Sequence, residues 1–169
     1  MQARLFRLSL LGLIPLICLY PAWAGKDEEP GHAGDKDHVM VTPDKIKWNP
    51  GPPSLPPGAQ VAVLAGDPSK TGAFTIRVKL PDGYRVPPHW HPTDENVTVI
   101  EGTFNMGRGD KFDRSATQEL PAGSYVRMPM KMRHFAWAKG STIVQVHGMG
   151  PFELNYVNES DDPRKKNKE

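Results

Sequence analysis

A chain of 169 residues, 38% of them hydrophobic, has room for one domain with a buried core and is short for two. The formal net charge is only +2 and no basic stripe with interleaved aromatics is present, which argues against a nucleic-acid-binding surface. Cys18 is the only cysteine, so no intrachain disulfide can form.

At the start of the chain, Arg4 and Arg7 precede an apolar run from residue 8 to 19, followed by Ala22-Trp23-Ala24. This is the pattern of an export signal, residues 1–24, cleaved before Gly25. The run is well short of the roughly 20 apolar residues that span a bilayer. The two arginines are not adjacent, so twin-arginine export has no support, and Leu16-Ile17 lacks the small residue expected before a lipidated Cys18. Cleavage removes two arginines and no acid, leaving 19 basic against 19 acidic residues. The expected product is a neutral, periplasmic or secreted protein with no membrane attachment.

Residues 25–40 begin GKDEEPGHAGDKDH and offer almost nothing apolar to bury, so they read as a flexible leader in which His32 and His38 face solvent. The domain itself is expected over 41–157, with a solvated tail at 158–169. Strand character recurs at 45–48, 60–64, 73–80, 95–101, 103–106, 124–128, 134–138, 142–147 and 152–157, punctuated by Gly, Pro, Asn and Asp. Short strands at this spacing, with no long helical period, predict an all-β antiparallel sandwich or barrel. The proline-dense stretch 49–58 cannot supply ladder donors and is expected to dock as a loop.

The stretch GYRVPPHWHPTDENVTVIEG, residues 83–102, carries the most chemistry. Side chains alternate along a strand, so His89 and His91 point the same way and Trp90 the other. Pro92-Thr93-Asp94 can turn the chain, which lets Glu95 approach the same point from the next strand. Gly83 and Gly102 bracket the unit where turns or close backbone approach are expected. A second stretch, GSYVRMPMKMRHFAW from Gly123, contains Pro129 and His134.

Together these stretches resemble the two motifs of the cupin superfamily. The first matches G-x5-H-x-H-x3-E-x6-G at Gly83, His89, His91, Glu95 and Gly102. The second is similar to G-x5-P-x-G-x2-H-x3-N at Gly123, Pro129 and His134, and departs from it at Lys131 and Ala138. The region 41–157 also resembles the small exported single-domain bacterial cupins. The resemblance implies an antiparallel double-stranded β-helix, or jelly roll, closed into a barrel, with a divalent metal ion held by His89, His91, Glu95 and His134.

Three imidazoles and a carboxylate suit Fe, Mn, Ni, Co, Cu or Zn, and donor softness alone does not choose among them. A six-coordinate ion so held keeps two free positions for water, dioxygen or an oxygen ligand. The expected function is therefore a metalloenzyme acting on a small oxygen-rich organic molecule, dioxygenase-type chemistry first. The rival is a metal-dependent binding or sensing module that holds its ligand without turning it over. Glu95 and His147 are the candidate acid–base groups. Gln145 and His147 share one strand face, either lining the pocket or lying outside at a homodimer contact. Met128, Met130 and Met132 alternate as soft Cu(I) ligands would, although Pro129 and Lys131 suggest that the strand is ending there. Phe135 and Trp137 are expected to pack away from His134.

Overall fold

The computed structural model describes residues 38–166. The expected signal peptide and all of the leader up to residue 37 lie outside the described residues, as do residues 167–169. Nine strands follow in chain order: β1 (Asn49–Pro50), β2 (Gln60–Ala65), β3 (Gly72–Leu80), β4 (Arg85–Trp90), β5 (Glu95–Arg108), β6 (Thr117–Pro121), β7 (Tyr125–Met128), β8 (His134–Gly150) and β9 (Asn155–Tyr156). All pairings are antiparallel. No described helix is long and apolar enough to cross a membrane.

Two long strands organise the molecule. The second part of β8, residues 142–150, pairs with β3 on one side and with the first part of β5 on the other. Its first part, residues 134–139, pairs with β4 and with the second part of β5. Each long strand therefore crosses from one half of a curled sheet to the other, which gives the antiparallel barrel expected from the strand pattern, in the jelly-roll form that the cupin resemblance implies.

The crossing in β5 is a pair of register shifts around Gly102. Before it, odd-numbered Glu95, Val97 and Val99 are buried; after it, even-numbered Phe104 and Met106 line the core. A bulge adds a residue to one strand and so reverses which side chains face inward. Thr142, fully buried, fastens this corner: its Oγ1 accepts from the Thr103 amide at 3.2 Å and donates to the Thr103 carbonyl at 3.1 Å.

Several expected boundaries move. The strand at 45–48 does not form; Pro43–Lys45 is a 3-10 turn, and pairing starts at the edge strand β1, where the missing proline donor can face solvent. The stretches 95–101 and 103–106 are one bent strand, as are 134–138 and 142–147. Strand β6 was not foreshadowed, and β4 only as the strand on which His89 and His91 share a face. Pro87-Pro88 hides β4, and the register shift between Val86 and His89 shows how the ladder passes over the two residues that lack an amide proton. Of 152–157 only Asn155–Tyr156 pairs as a strand.

Loops close the two ends of the site region. Apart from Asn49–Pro50, which pairs as β1, the proline-rich segment docks as a loop, with the Tyr84 hydroxyl donating to the Pro56 carbonyl and the Tyr156 hydroxyl to the Ser54 carbonyl. On the outer surface Phe112 packs against Phe135 at 5.3 Å between ring centres, and Arg114 lies over Trp137 at 4.3 Å. Phe135 and Trp137 thus point away from the cavity that His134 faces, as alternation predicts.

Candidate metal centre

The histidines meet because of register. His89 is the penultimate residue of β4 and His134 begins β8, and the two are direct cross-strand partners with ring centres 4.2 Å apart. His91 follows β4 immediately, and Glu95 opens β5 in the other half of the sheet. Ligating atoms of His89, His91 and His134 all lie within 4.8 Å of one another. Glu95 Oε2 stands 3.3 Å from His91 Nε2 and 3.2 Å from His134 Nε2. All four side chains are buried.

The second nitrogen of each ring determines what the first can do. His89 Nδ1 lies 2.7 Å from the Pro87 carbonyl, His91 Nδ1 2.7 Å from the Glu153 carbonyl, and His134 Nδ1 2.9 Å from the Met132 carbonyl. A carbonyl only accepts, so each Nδ1 carries the proton and each neutral ring turns an Nε2 lone pair toward the common point. His91 Nε2 has no hydrogen-bond partner despite full burial. Three lone pairs and a carboxylate facing one another repel unless a cation lies among them. A divalent ion satisfies all four at once, and imidazoles anchored through Nδ1 to backbone carbonyls are the usual support for such ligands. The donor set fits a borderline divalent metal.

The electrostatics agree. Burial, with the neighbouring His134 and His91, holds His89 well below the ordinary imidazole range, so it stays neutral. Burial would raise the Glu95 carboxyl, yet the His91 and His134 rings outweigh it and push the carboxyl down, so Glu95 is ionised. His134 runs the other way: burial opposes its charge, but Glu95 overrides it and raises that ring, so without an ion its Nε2 shares with Glu95 a proton whose place a metal would take.

Asp94, beside the cluster, ties the two sequence motifs together. It accepts from the Met130 amide at 2.8 Å and pairs with Arg127, which holds its carboxyl below the usual range. Lys131, where the cupin pattern has glycine, adopts a left-handed φ of 61°, and its amide donates to the His91 carbonyl at 2.8 Å. Lys131→Gly is expected to raise stability by up to ~1 kcal/mol, the relief of a left-handed side chain being partly offset by glycine's freedom in the unfolded chain. A thermal melt that does not rise would show the Lys131 turn to be unstrained.

Behind the cluster lies a cavity of about 300 Å³. Val144 and Val146 of β8 line it, whereas Gln145 and His147 do not. The expected pocket role of Gln145 and the acid–base role of His147 are corrected accordingly: strand alternation puts both on the outer face. There Arg77 Nε donates to Gln145 Oε1 at 3.4 Å and Asn96 donates to the His147 carbonyl at 3.1 Å. The methionine face also dissolves. β7 stops at Met128, which lines the cavity, while Met130 is 58% exposed.

One contributor went unread in the sequence. Phe152 stacks flat on His91, with ring centres 4.3 Å apart at 11°, while its amide reaches the Pro68 carbonyl at 2.7 Å. The segment from Phe152 to Leu154 thereby covers the mouth and supplies the Glu153 carbonyl to His91. No local signal marks it, because its role exists only once the chain returns to β4.

Three imidazoles and a carboxylate inside an antiparallel jelly-roll barrel define a cupin. The profile of the ChrR cupin-like domain family matches residues 36–153, and the chain belongs to that family. No curated protein matches significantly. Among solved structures, the polyketide cyclase RemF from Streptomyces resistomycificus is similar at 18% identity and TM-score 0.58, over 76% of this chain and 91% of that one. A candidate acetylacetone dioxygenase from Methylibium petroleiphilum gives 20% and 0.57, over 75% and 85%. An RmlC-like cupin from Shewanella frigidimarina gives 14% and 0.52, over 66% and 90%. At these identities the likeness establishes the fold alone.

Proposed function

We propose that the protein is a metal-dependent cupin enzyme acting on a small organic molecule, with dioxygenase-type oxidation favoured. The observation that carries this reading is the set of three Nδ1-anchored imidazoles and the ionised Glu95, all buried and all presenting acceptors to one point. A divalent ion bound there would supply Lewis acidity and, if redox-active, a path for electrons to dioxygen. His89, His91 and His134 would hold it. Glu95 would complete the set and, as a carboxylate, could also accept a proton. The hydrocarbon wall behind them excludes water from whatever binds. Decarboxylation or isomerisation would need only the Lewis acid.

One observation favours the rival, a metal-dependent binding or sensing module. With His147 on the outer face, the four cluster residues are, among the described residues, the only titratable side chains lining the cavity. Stripped protein refilled separately with Fe, Mn, Co, Ni or Zn, and assayed for oxygen uptake against phenols, enediols and small organic acids, separates the two. Uptake with redox-active ions and none with Zn is expected. Tight binding with no uptake under any metal would favour the binding module.

We also propose that the protein works outside the cytoplasm, supported by the charged, apolar and small-residue succession in residues 1–24. Mass spectrometry of the native protein should find Gly25 at its N-terminus. A chain exported unfolded would acquire its ion in that outer compartment.

A further inference from the structure

The cavity wall says more about the ligand than the metal cluster does. Ile76 and Val78 of β3, Phe104 of β5, and Val144 and Val146 of β8 line it. Among the described residues no Lys, Arg, Asn, Gln, Thr or Tyr does so. The hydroxyl-bearing residues are Ser54 and Ser69, both in loops, and the exposed Ser69 already gives its proton to Asp67 at 2.6 Å. All remaining polarity sits at one end, on the three histidines and Glu95.

We infer that the cavity takes a largely hydrocarbon molecule with a single oxygen-bearing head, such as a carboxylate, an enolate or a phenolate, and takes neither sugars nor phosphate esters. The inference rests on the metal reading above for the head, and on the wall alone for the body. A sugar hydroxyl buried against Val78 or Val146 would lose its water and find no partner, weakening binding by ~10-fold or more for each such group. A phosphate would carry up to two negative charges into a cavity whose described lining offers no lysine or arginine to pair with them. The single-head geometry also narrows the oxygen-rich ligand expected from the sequence: its oxygens must gather at one end. At about 300 Å³ the space is roughly twice a cavity that accommodates benzene. The body is thus a substituted aromatic ring or a medium-length chain.

The test uses purified protein in metal-free and Co(II)-loaded forms, titrated calorimetrically and, for cobalt, followed by its visible absorption. Straight-chain carboxylates from acetate to decanoate go to the cobalt form. Primary alcohols of the same lengths go to the metal-free form, and gluconate and glucose 6-phosphate go to both. Affinity should rise about fourfold per added methylene, the equivalent of ~0.8 kcal/mol, until the cavity is full and then level off. The slope should appear in both forms, with the cobalt spectrum shifting only for the carboxylates. Val146→Thr, near-isosteric, should flatten the slope, with a melting curve confirming the fold. Affinity independent of chain length, or gluconate or glucose 6-phosphate binding tighter than octanoate, would overturn the inference. A normal slope for alcohols in protein that binds no cobalt would instead overturn the metal reading and leave the hydrocarbon cavity standing.

Discussion

Replacing His91 or Glu95 by alanine should lower metal affinity by more than ~100-fold, exceeding the 10- to 100-fold typical of losing a supporting residue around a metal. Both side chains are buried, and each belongs to the convergent cluster. The two variants should differ in stability. His91→Ala also strands the Glu153 carbonyl, removes the ring that Phe152 stacks upon, and opens a void at the mouth. A loss of roughly 2–4 kcal/mol is expected from an unpaired buried acceptor and missing packing. Glu95→Gln keeps the shape and removes only the charge, so it should lose metal while melting close to the parent. His32→Ala, in the leader, should keep its full metal complement. Elemental analysis of the purified variants reads the result, and equal metal loss in all of them would sink the four-ligand assignment.

The motif glycines give the second large effect, because they are needed for different reasons. Gly83 and Gly102 both have left-handed backbones, φ 71° and 75°. At Gly83 an added Cβ would meet nothing within 4 Å. At Gly102 it would fall 2.3 Å from the Ser141 carbonyl oxygen and 2.7 Å from Thr142 Oγ1, the atom that fastens the corner of β5. Gly83→Ala should therefore cost only the conformational strain, about 1–2 kcal/mol. Gly102→Ala adds a backbone clash that cannot be relieved by rotating a side chain, and more than ~3 kcal/mol is expected. Thermal unfolding should show Gly102→Ala melting roughly 10 °C or more below the parent, and Gly83→Ala only a few degrees below. Similar melts would mean that the corner yields easily. Because Glu95 lies on the strand that bends at Gly102, the more damaging variant should also bind metal less well.

Much of this site was legible before any coordinates. The H-x-H spacing put two imidazoles on one side of the chain, and the two motifs named Glu95 and His134 as their companions. What could not be read were choices between the faces of a strand. Gln145 and His147 share a face with each other but not with Val144 and Val146, and nothing local says which pair turns inward. The β5 bulge shows the difficulty: the side chains it gives to the core change from odd-numbered Val97 and Val99 to even-numbered Phe104 and Met106 across Gly102, so a single alternation rule fails in mid-strand.

By itself the sequence determined the β character of the chain and most turn positions, because these depend on residue type and short-range spacing, and the resemblance of its two motifs to the cupin pattern singled out His89, His91, Glu95 and His134. The tertiary structure decided that His134 pairs directly with His89, that the Glu153 carbonyl and the Phe152 ring support His91, and that the wall behind them is hydrocarbon. Each of those contacts joins segments distant in the chain, brought together by the register of β8 against β4 and by the return of the segment after β8. Register is set by the packing of a whole buried face, and no local stretch carries that information.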